Sequence, residues 1–239
     1  VHGTCARTRC LMRALVPGPA VPAAYLGVWQ RKLLRTPKIE DTTTQVYWLQ
    51  TPSWHADIRV PADRPDCAGS STLDELTRAD LMALARQQGF CGTTVVDADI
   101  CRWLRRHDFQ PPSGANDIGR MEFETPDRVL EYGVEAEYFE IWERLPGSQG
   151  DTFALQTGDD PLSLLLGAGD YVMSVRPRAA PLPVAPDLVT FAAGKNGLVL
   201  REALDFELSF GRRIKPDAWK IELSTLPWRQ GRVLPLART

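Results

Sequence analysis

Histidine, clustered cysteine and long apolar runs are all scarce in this chain. There are three histidines, His2, His55 and His107. No Cys/His group has zinc-ligand spacing and no CxxC pair occurs, so no metal site is expected. The cysteines are Cys5, Cys10, Cys67, Cys91 and Cys101. An odd, unclustered set reads as free thiols of a reducing cytoplasm rather than as a disulfide framework. No apolar run reaches the ~18 residues of a bilayer span, so no membrane partner is expected. Basic excess is also missing. The net charge is -2 and the arginines stand singly among Asp and Glu, which gives nucleic acid no electrostatic footprint. Gly-x-Ser-x-Gly is absent, which removes the elbow of acyl-transfer hydrolases. No Gly-rich loop opens a helix, and Gly167-Ala168-Gly169 runs into Asp170 and a strand, the wrong setting for a dinucleotide. No cofactor is expected.

Helical periodicity is equally rare. It occurs clearly once, over residues 72–88, where Leu73, Leu76, Met82, Leu84 and Ala85 form a partial stripe. Ser71 or Thr72 with Glu75 offers a capping box, and Gly89 a stop. What the chain has in quantity is alternation. Between Phe90 and Arg144 polar and apolar residues change places every second position, in runs at 93–104, 120–124, 128–132 and 137–144. Similar runs occupy 25–34, 42–50 and 56–60 before it. After it come 152–157, 171–177, 188–192, 203–210 and 219–224, with 162–166 a strand or a helical turn. Prolines 177, 181, 183 and 186 mark a stiff crossing loop. The pattern predicts an all-β fold, an antiparallel up-and-down barrel of about ten or eleven strands with one helix inserted near residues 72–88. Residues 25–239 read as one barrel domain. Residues 1–24 read as a disordered tail, or as a start set upstream of the true one near Met12. The basic Arg7, Arg9 and Arg13 are followed by an apolar stretch that Pro17, Pro19 and Pro22 break, so a secretory signal is not supported.

Seven tryptophans stand among the strands. Trp buries a large area and keeps one polar handle, which suits a ligand cavity or a packed core. Several strands are polar on both faces. Asp57 and Arg59 share one face. Asp97, Asp99 and Trp103 share another, as do Tyr138, Glu140, Trp142 and Arg144. Turned outward, these faces are a solvated wall. Turned inward, they make a polar pocket with aromatic walls, of a size that a small barrel can hold. The candidate ligand-binding residues are Trp48, Arg59, Asp97, Trp103, Tyr138, Glu140 and Trp142. His107, in Arg105-Arg106-His107-Asp108, is the candidate general acid or base. The acidic bias from Asp117 to Glu143 reads as exposed cross-strand ion pairs, or alternatively as a pocket for a cation.

Gly27-Val28-Trp29 resembles the Gly-x-Trp signature of the calycins, the lipocalin-like barrels. In that superfamily the Trp closes the barrel bottom against an Arg from a late strand, a role open here to Arg212, Arg213 or Arg229. Gly27 and Trp29 are thereby structural candidates. The segments 41–44, 108–112 and 224–229 resemble an uncharacterised bacterial family of lipocalin-like proteins, a likeness that carries a fold and no activity. The chain is longer than a simple lipocalin. The expectation is a cytoplasmic barrel that holds a small, partly aromatic or acyl ligand. Its rivals are a lyase or isomerase on the same barrel using His107 or a carboxylate, and a cavity-free protein-interaction barrel. Fold does not decide between carrier and enzyme, and the oligomeric state is left open.

Overall fold

Alternating residues become strands wherever both of their faces find cover. A computed structural model describes residues 13–67, 69–157 and 163–236. The first half runs β1 (Arg13–Ala14), β2 (Gly27–Arg35), β3 (Glu40–Asp41), β4 (Gln45–Gln50), β5 (Trp54–Val60), α1 (Arg78–Leu84), β6 (Gln88–Asp97), β7 (Ile100–Asp108), β8 (Ile118–Thr125), β9 (Arg128–Gly133) and β10 (Phe139–Arg144). The second half runs β11 (Thr152–Gln156), β12 (Leu164–Ala168), β13 (Tyr171–Arg176), α2 (Leu188–Ala192), α3 (Gly197–Leu204), β14 (Glu207–Lys215), β15 (Ala218–Ser224) and β16 (Val233–Pro235).

Strands β2 and β4 to β10 form an antiparallel barrel of eight strands. It closes where β10 pairs with β2, from Phe139 opposite Arg35 to Arg144 opposite Trp29. Closure leaves no barrel edge open to another chain. The remaining strands do not enlarge the barrel. They form an open antiparallel sheet in the order β1-β11-β12-β13-β14-β15-β16. The reason lies on β4 and β5, whose outward residues are apolar too. Leu49, Trp54, Ala56, Ile58 and Val60 share one core with Leu166, Tyr171, Met173, Phe206, Leu208 and Phe210 of the second sheet. Tyr47 stacks on Phe210 at 4.4 Å, and Phe210 on Tyr171 at 5.7 Å. A barrel wall that is apolar on its outer face needs a second layer, and the C-terminal strands supply it.

The helical segments differ from the sequence expectation. The 72–88 segment is a 3-10 turn at Leu73–Glu75, an extended Leu76, and then α1. The cap is Thr77, whose hydroxyl accepts from Asp80 N while the Asp80 carboxylate accepts from Thr77 N. Residues 188–192, expected as a strand, are α2, with Asp187 accepting from Thr190 N. Residues 203 and 204 end α3, which Asn196 caps. The helices bury Leu81, Leu84, Leu188, Leu200 and Leu204 in the shared core.

Of the stretch expected as a tail, residues 13–24 make defined contacts with the fold. Arg13 and Ala14 pair with β11, Val21 is buried, and Ala23–Tyr25 form a 3-10 turn under the barrel. Residues 1–12, with Cys5 and Cys10, lie outside the described residues. Among the described residues no helix is long and apolar enough to cross a membrane.

Candidate functional site in the barrel

The second sheet decides which way β5 faces. It takes Trp54, Ala56, Ile58 and Val60, so His55, Asp57 and Arg59 point inward. Register then carries the inward set round the barrel. Trp48 lies opposite Asp57, Asp57 opposite Phe90, Thr94 opposite Trp103, and Glu131 opposite both Met121 and Glu140. The result is an aromatic layer below a charged one.

The aromatic layer is built on Trp29. It stacks on Trp48 at 6.2 Å, and Trp48 meets Trp103 at 5.4 Å and Trp142 at 5.9 Å, edge to face. Trp29 Nε1 donates to Tyr25 O at 2.8 Å. The Arg144 guanidinium lies 4.3 Å from the Trp29 ring centroid. Arg144 also donates to Ala24 O, Leu26 O and Pro126 O and pairs with Asp127 at 2.9 Å. The Arg that closes the barrel is therefore Arg144, on the last barrel strand. Arg212, Arg213 and Arg229 belong to the segment beyond the barrel. Gly27 has φ 121°, and a Cβ there would fall 2.9 Å from Ser148 Oγ and 3.4 Å from Arg144 Cδ. Only glycine takes that backbone without strain beside the closing arginine.

In the charged layer Arg59 Nε donates to Asp57 at 2.7 Å, and Arg31 bridges Glu140 at 2.9 Å and Asp41 at 2.8 Å. Arg59 approaches Glu140 at 3.9 Å. Glu131 has no arginine within salt-bridge distance among the described residues. It accepts from Tyr138 OH at 2.6 Å and from Trp142 Nε1 at 2.9 Å. Its chain lies over Gly119, where a Cβ would come 2.8 Å from Glu131 Cγ. Burial, and then Glu140 beside it, push the Glu131 carboxyl well above the usual carboxylate range. Burial raises Glu140 and Asp57 as well, against the pull of Arg59 and its neighbours. Two adjacent buried carboxyls cannot both ionise freely, and Glu131 is the one without a cation, so the proton rests there.

A polar relay runs along the β5 wall. Gln50 Nε2 donates to Thr51 O and Trp54 O, which fixes Oε1 as the acceptor. Thr94 Oγ1 donates to that oxygen at 2.8 Å, spending its one proton. His55 Nδ1, 2.9 Å from Thr94 Oγ1, must then be the donor, which leaves Nε2 unprotonated. That atom is buried and has no hydrogen-bond partner among the described residues. Burial, and then Arg105, push the His55 imidazolium down to about 3.

The layers meet at a cavity of about 10 Å³, bounded by Trp48, Asp57, Arg59, Phe90, Trp103, Asp117, Glu131 and Trp142. That volume admits about one water-sized group. The barrel wall is thin next to it. β7 pairs with β8 only from Ile100 to Arg102, and Trp103 N to Asp117 O is the last backbone link. Beyond that point Arg105 spans the gap. It bonds Asp117 and Asp108, each at 2.7 Å, and lies 3.6 Å over Phe90.

Of the residues singled out from sequence, Trp48, Arg59, Trp103 and Trp142 border this cavity, and Tyr138 and Glu140 adjoin its Glu131 wall. Asp97 does not reach it. It is exposed at the β6–β7 turn, where the strand leaves the barrel wall. His107 is not in the barrel either. A register shift at Cys91/Gly92 turns it outward, opposite Cys91, into a groove between the barrel and the second sheet. Sequence reasoning passed over Glu131, Asp117, Phe90 and His55 as site residues. Glu131 was discoverable as the partner of Glu140 across a short hairpin, whereas Asp117 sits in a loop without periodicity. Among the described residues no group of three or more His, Cys, Asp or Glu is arranged to hold a metal ion. Comparison with protein families, with curated proteins and with solved structures finds no match.

Proposed function

We propose that the protein is a small-molecule-binding barrel of lipocalin-like type, with its site at the charged end of the interior. The observation that carries the reading is Glu131. A buried carboxyl that accepts hydrogen bonds from Tyr138 and Trp142, and that no arginine among the described residues pairs with, lines a cavity with tryptophan walls. A merely structural core is served as well or better by apolar residues of the same volume. The ligand presents a neutral hydrogen-bonding head group to Glu131 and Asp117. Its aromatic or acyl remainder lies along Trp48 and Trp103, a place that opens when Trp103 and Arg105 swing through the β7–β8 gap. Residues 25–239 act as one unit in this reading. Cys67, Cys91 and Cys101 are buried and unpaired, and burial pushes Cys91 up to about 12, which suits a reducing cytoplasm.

The test is native mass spectrometry of protein purified gently from its expression host, followed by titration of the barrel tryptophan fluorescence with the species found. A co-purifying small mass is expected. Trp103→Ala and Glu131→Gln should each weaken its binding by about tenfold or more, ~1.4 kcal/mol, with circular dichroism unchanged. A clean mass together with a concentration-dependent dimer would retire the pocket in favour of an interaction barrel.

The Glu131–Glu140 pair supports a second reading, a lyase or isomerase. In it the protonated Glu131 acts as general acid, the role assigned from sequence to His107, and Arg59 stabilises developing negative charge. Turnover abolished in Glu131→Gln with binding retained would select the enzyme.

A further inference from the structure

Outside the barrel, a groove of about 880 Å³ runs between β7, the 110–115 loop and the proline-rich 177–189 segment. Its volume lies within the range of small-molecule sites, roughly 300–1,000 Å³. One wall is apolar, with Leu182, Val189 and Phe206 among the prolines, and the other is basic.

The basic wall is unevenly neutralised. Arg86 pairs with Asp63 at 3.0 Å, and Arg105 with Asp108 and Asp117. Arg178 is 8% exposed and donates to three backbone carbonyls, Ala203 O at 2.9 Å, Asp108 O at 2.9 Å and Phe109 O at 2.6 Å. Among the described residues no carboxylate lies within 4.0 Å of Arg178 or of Arg106. Asp187, the remaining acid on the lining, accepts from Thr190 N as a helix cap. Carbonyl dipoles solvate a guanidinium and leave its full charge in place. A guanidinium also has five N–H groups, so bonds to three carbonyls do not exhaust it. The groove therefore combines an apolar floor with a basic wall on which Arg106 and Arg178 have no carboxylate within 4.0 Å among the described residues.

We propose that this groove binds an organic anion with an apolar body, of the alkyl-carboxylate class. The carboxylate meets Arg106 and Arg178, with His107 beside them, and the chain lies along Leu182, Val189 and Phe206. The site is separate from the barrel cavity, because Arg105 and Phe90 stand between the two.

The experiment is isothermal titration calorimetry of the full chain with decanoate, and with decyltrimethylammonium as the matched cation, both as monomers. Expected is one-site saturable binding of decanoate, weakened at least about tenfold by Arg106→Glu and by Leu182→Asp. It should be unchanged in Glu131→Gln, and the cation should bind far more weakly. Arg106 is exposed, so its substitution leaves folding intact. Equal binding of both amphiphiles, no saturable decanoate binding, or full affinity in both groove variants would overturn the proposal. So would a dimer, seen by light scattering, that Leu182→Asp dissolves, because the occupant would then be a second copy.

Discussion

His55 holds a single ring proton at neutral pH, because Thr94 and Gln50 fix its tautomer and burial forbids the second. Its folded value of about 3 lies below the ordinary 6.5. The stability tied to this group is therefore complete above pH 6.5 and is lost as pH falls from 6.5 toward 3, where only the unfolded chain takes the proton. Asp57, Glu131 and Glu140 are raised and act in the opposite sense: their protonation in the fold favours low pH. The two effects separate in a variant. His55→Asn keeps a donor toward Thr94 and removes the titration. Between pH 6 and pH 4 the unfolding free energy of the wild type, read from urea titrations, should fall relative to that of the variant by up to ~1.4 kcal/mol per pH unit. Parallel curves would show that His55 is already charged or hydrated in the fold.

At the scale of elements, most strands and the inserted helix were legible, and the two helices between β13 and β14 were not. Alternation fixed the runs of β2, β4, β5, β9 and β10 to within a few residues, since period two survives any partner, whereas the run at 93–104, expected as one strand, is broken by the turn at Ala98-Asp99 and divided between β6 and β7. α1 lies within the helix expected over residues 72–88 but is shorter, and α2 and α3 escaped because neither is long enough to show a periodic stripe. The Ser71-to-Glu75 contact is real, at 2.5 Å, but it closes a 3-10 turn. The capping box that starts α1 lies at Thr77 and Asp80. Thr77→Ala should cost about 1 kcal/mol by chemical denaturation, with the barrel register untouched. A change below ~0.3 kcal/mol would mean that packing of Leu81 and Leu84 holds α1 without its cap. α2 is five residues, Leu-Val-Thr-Phe-Ala, rich in strand formers, and the Asp187 cap decides against that preference.

The whole molecule rests on the core shared between the barrel's outer face and the second sheet. Leu208 is fully buried in that core, facing β5 and β6 across the layer. Leu208→Ala should cost ~2–5 kcal/mol. Barrel tryptophan fluorescence and far-ultraviolet circular dichroism should still fall at one midpoint, because the sheet that loses contact also covers β5. Two separated midpoints would show that the barrel stands without its cover.

The sequence by itself determined an antiparallel all-β chain, most of the strand positions, and the pairing of Asp57 with Arg59 and of Tyr138 with Trp142 on common faces, all consequences of a period that needs no partner. The resemblance carried by Gly27-Val28-Trp29 marked Gly27 and Trp29 as structural candidates. Which face of each strand turned inward belonged to the tertiary structure. β5 carries Ile58 and Val60 on one side and Asp57 and Arg59 on the other, and either side makes a plausible interior. The second sheet broke that tie by burying the aliphatic side outside the barrel, which left the charges to pair within it. Closure of β10 on β2 set Arg144, rather than Arg212, Arg213 or Arg229, beneath Trp29, and a register shift between β6 and β7 sent His107 to the groove. The inward face of β5 and the place of Arg144 depend on contacts between segments more than a hundred residues apart, and no local pattern encodes them.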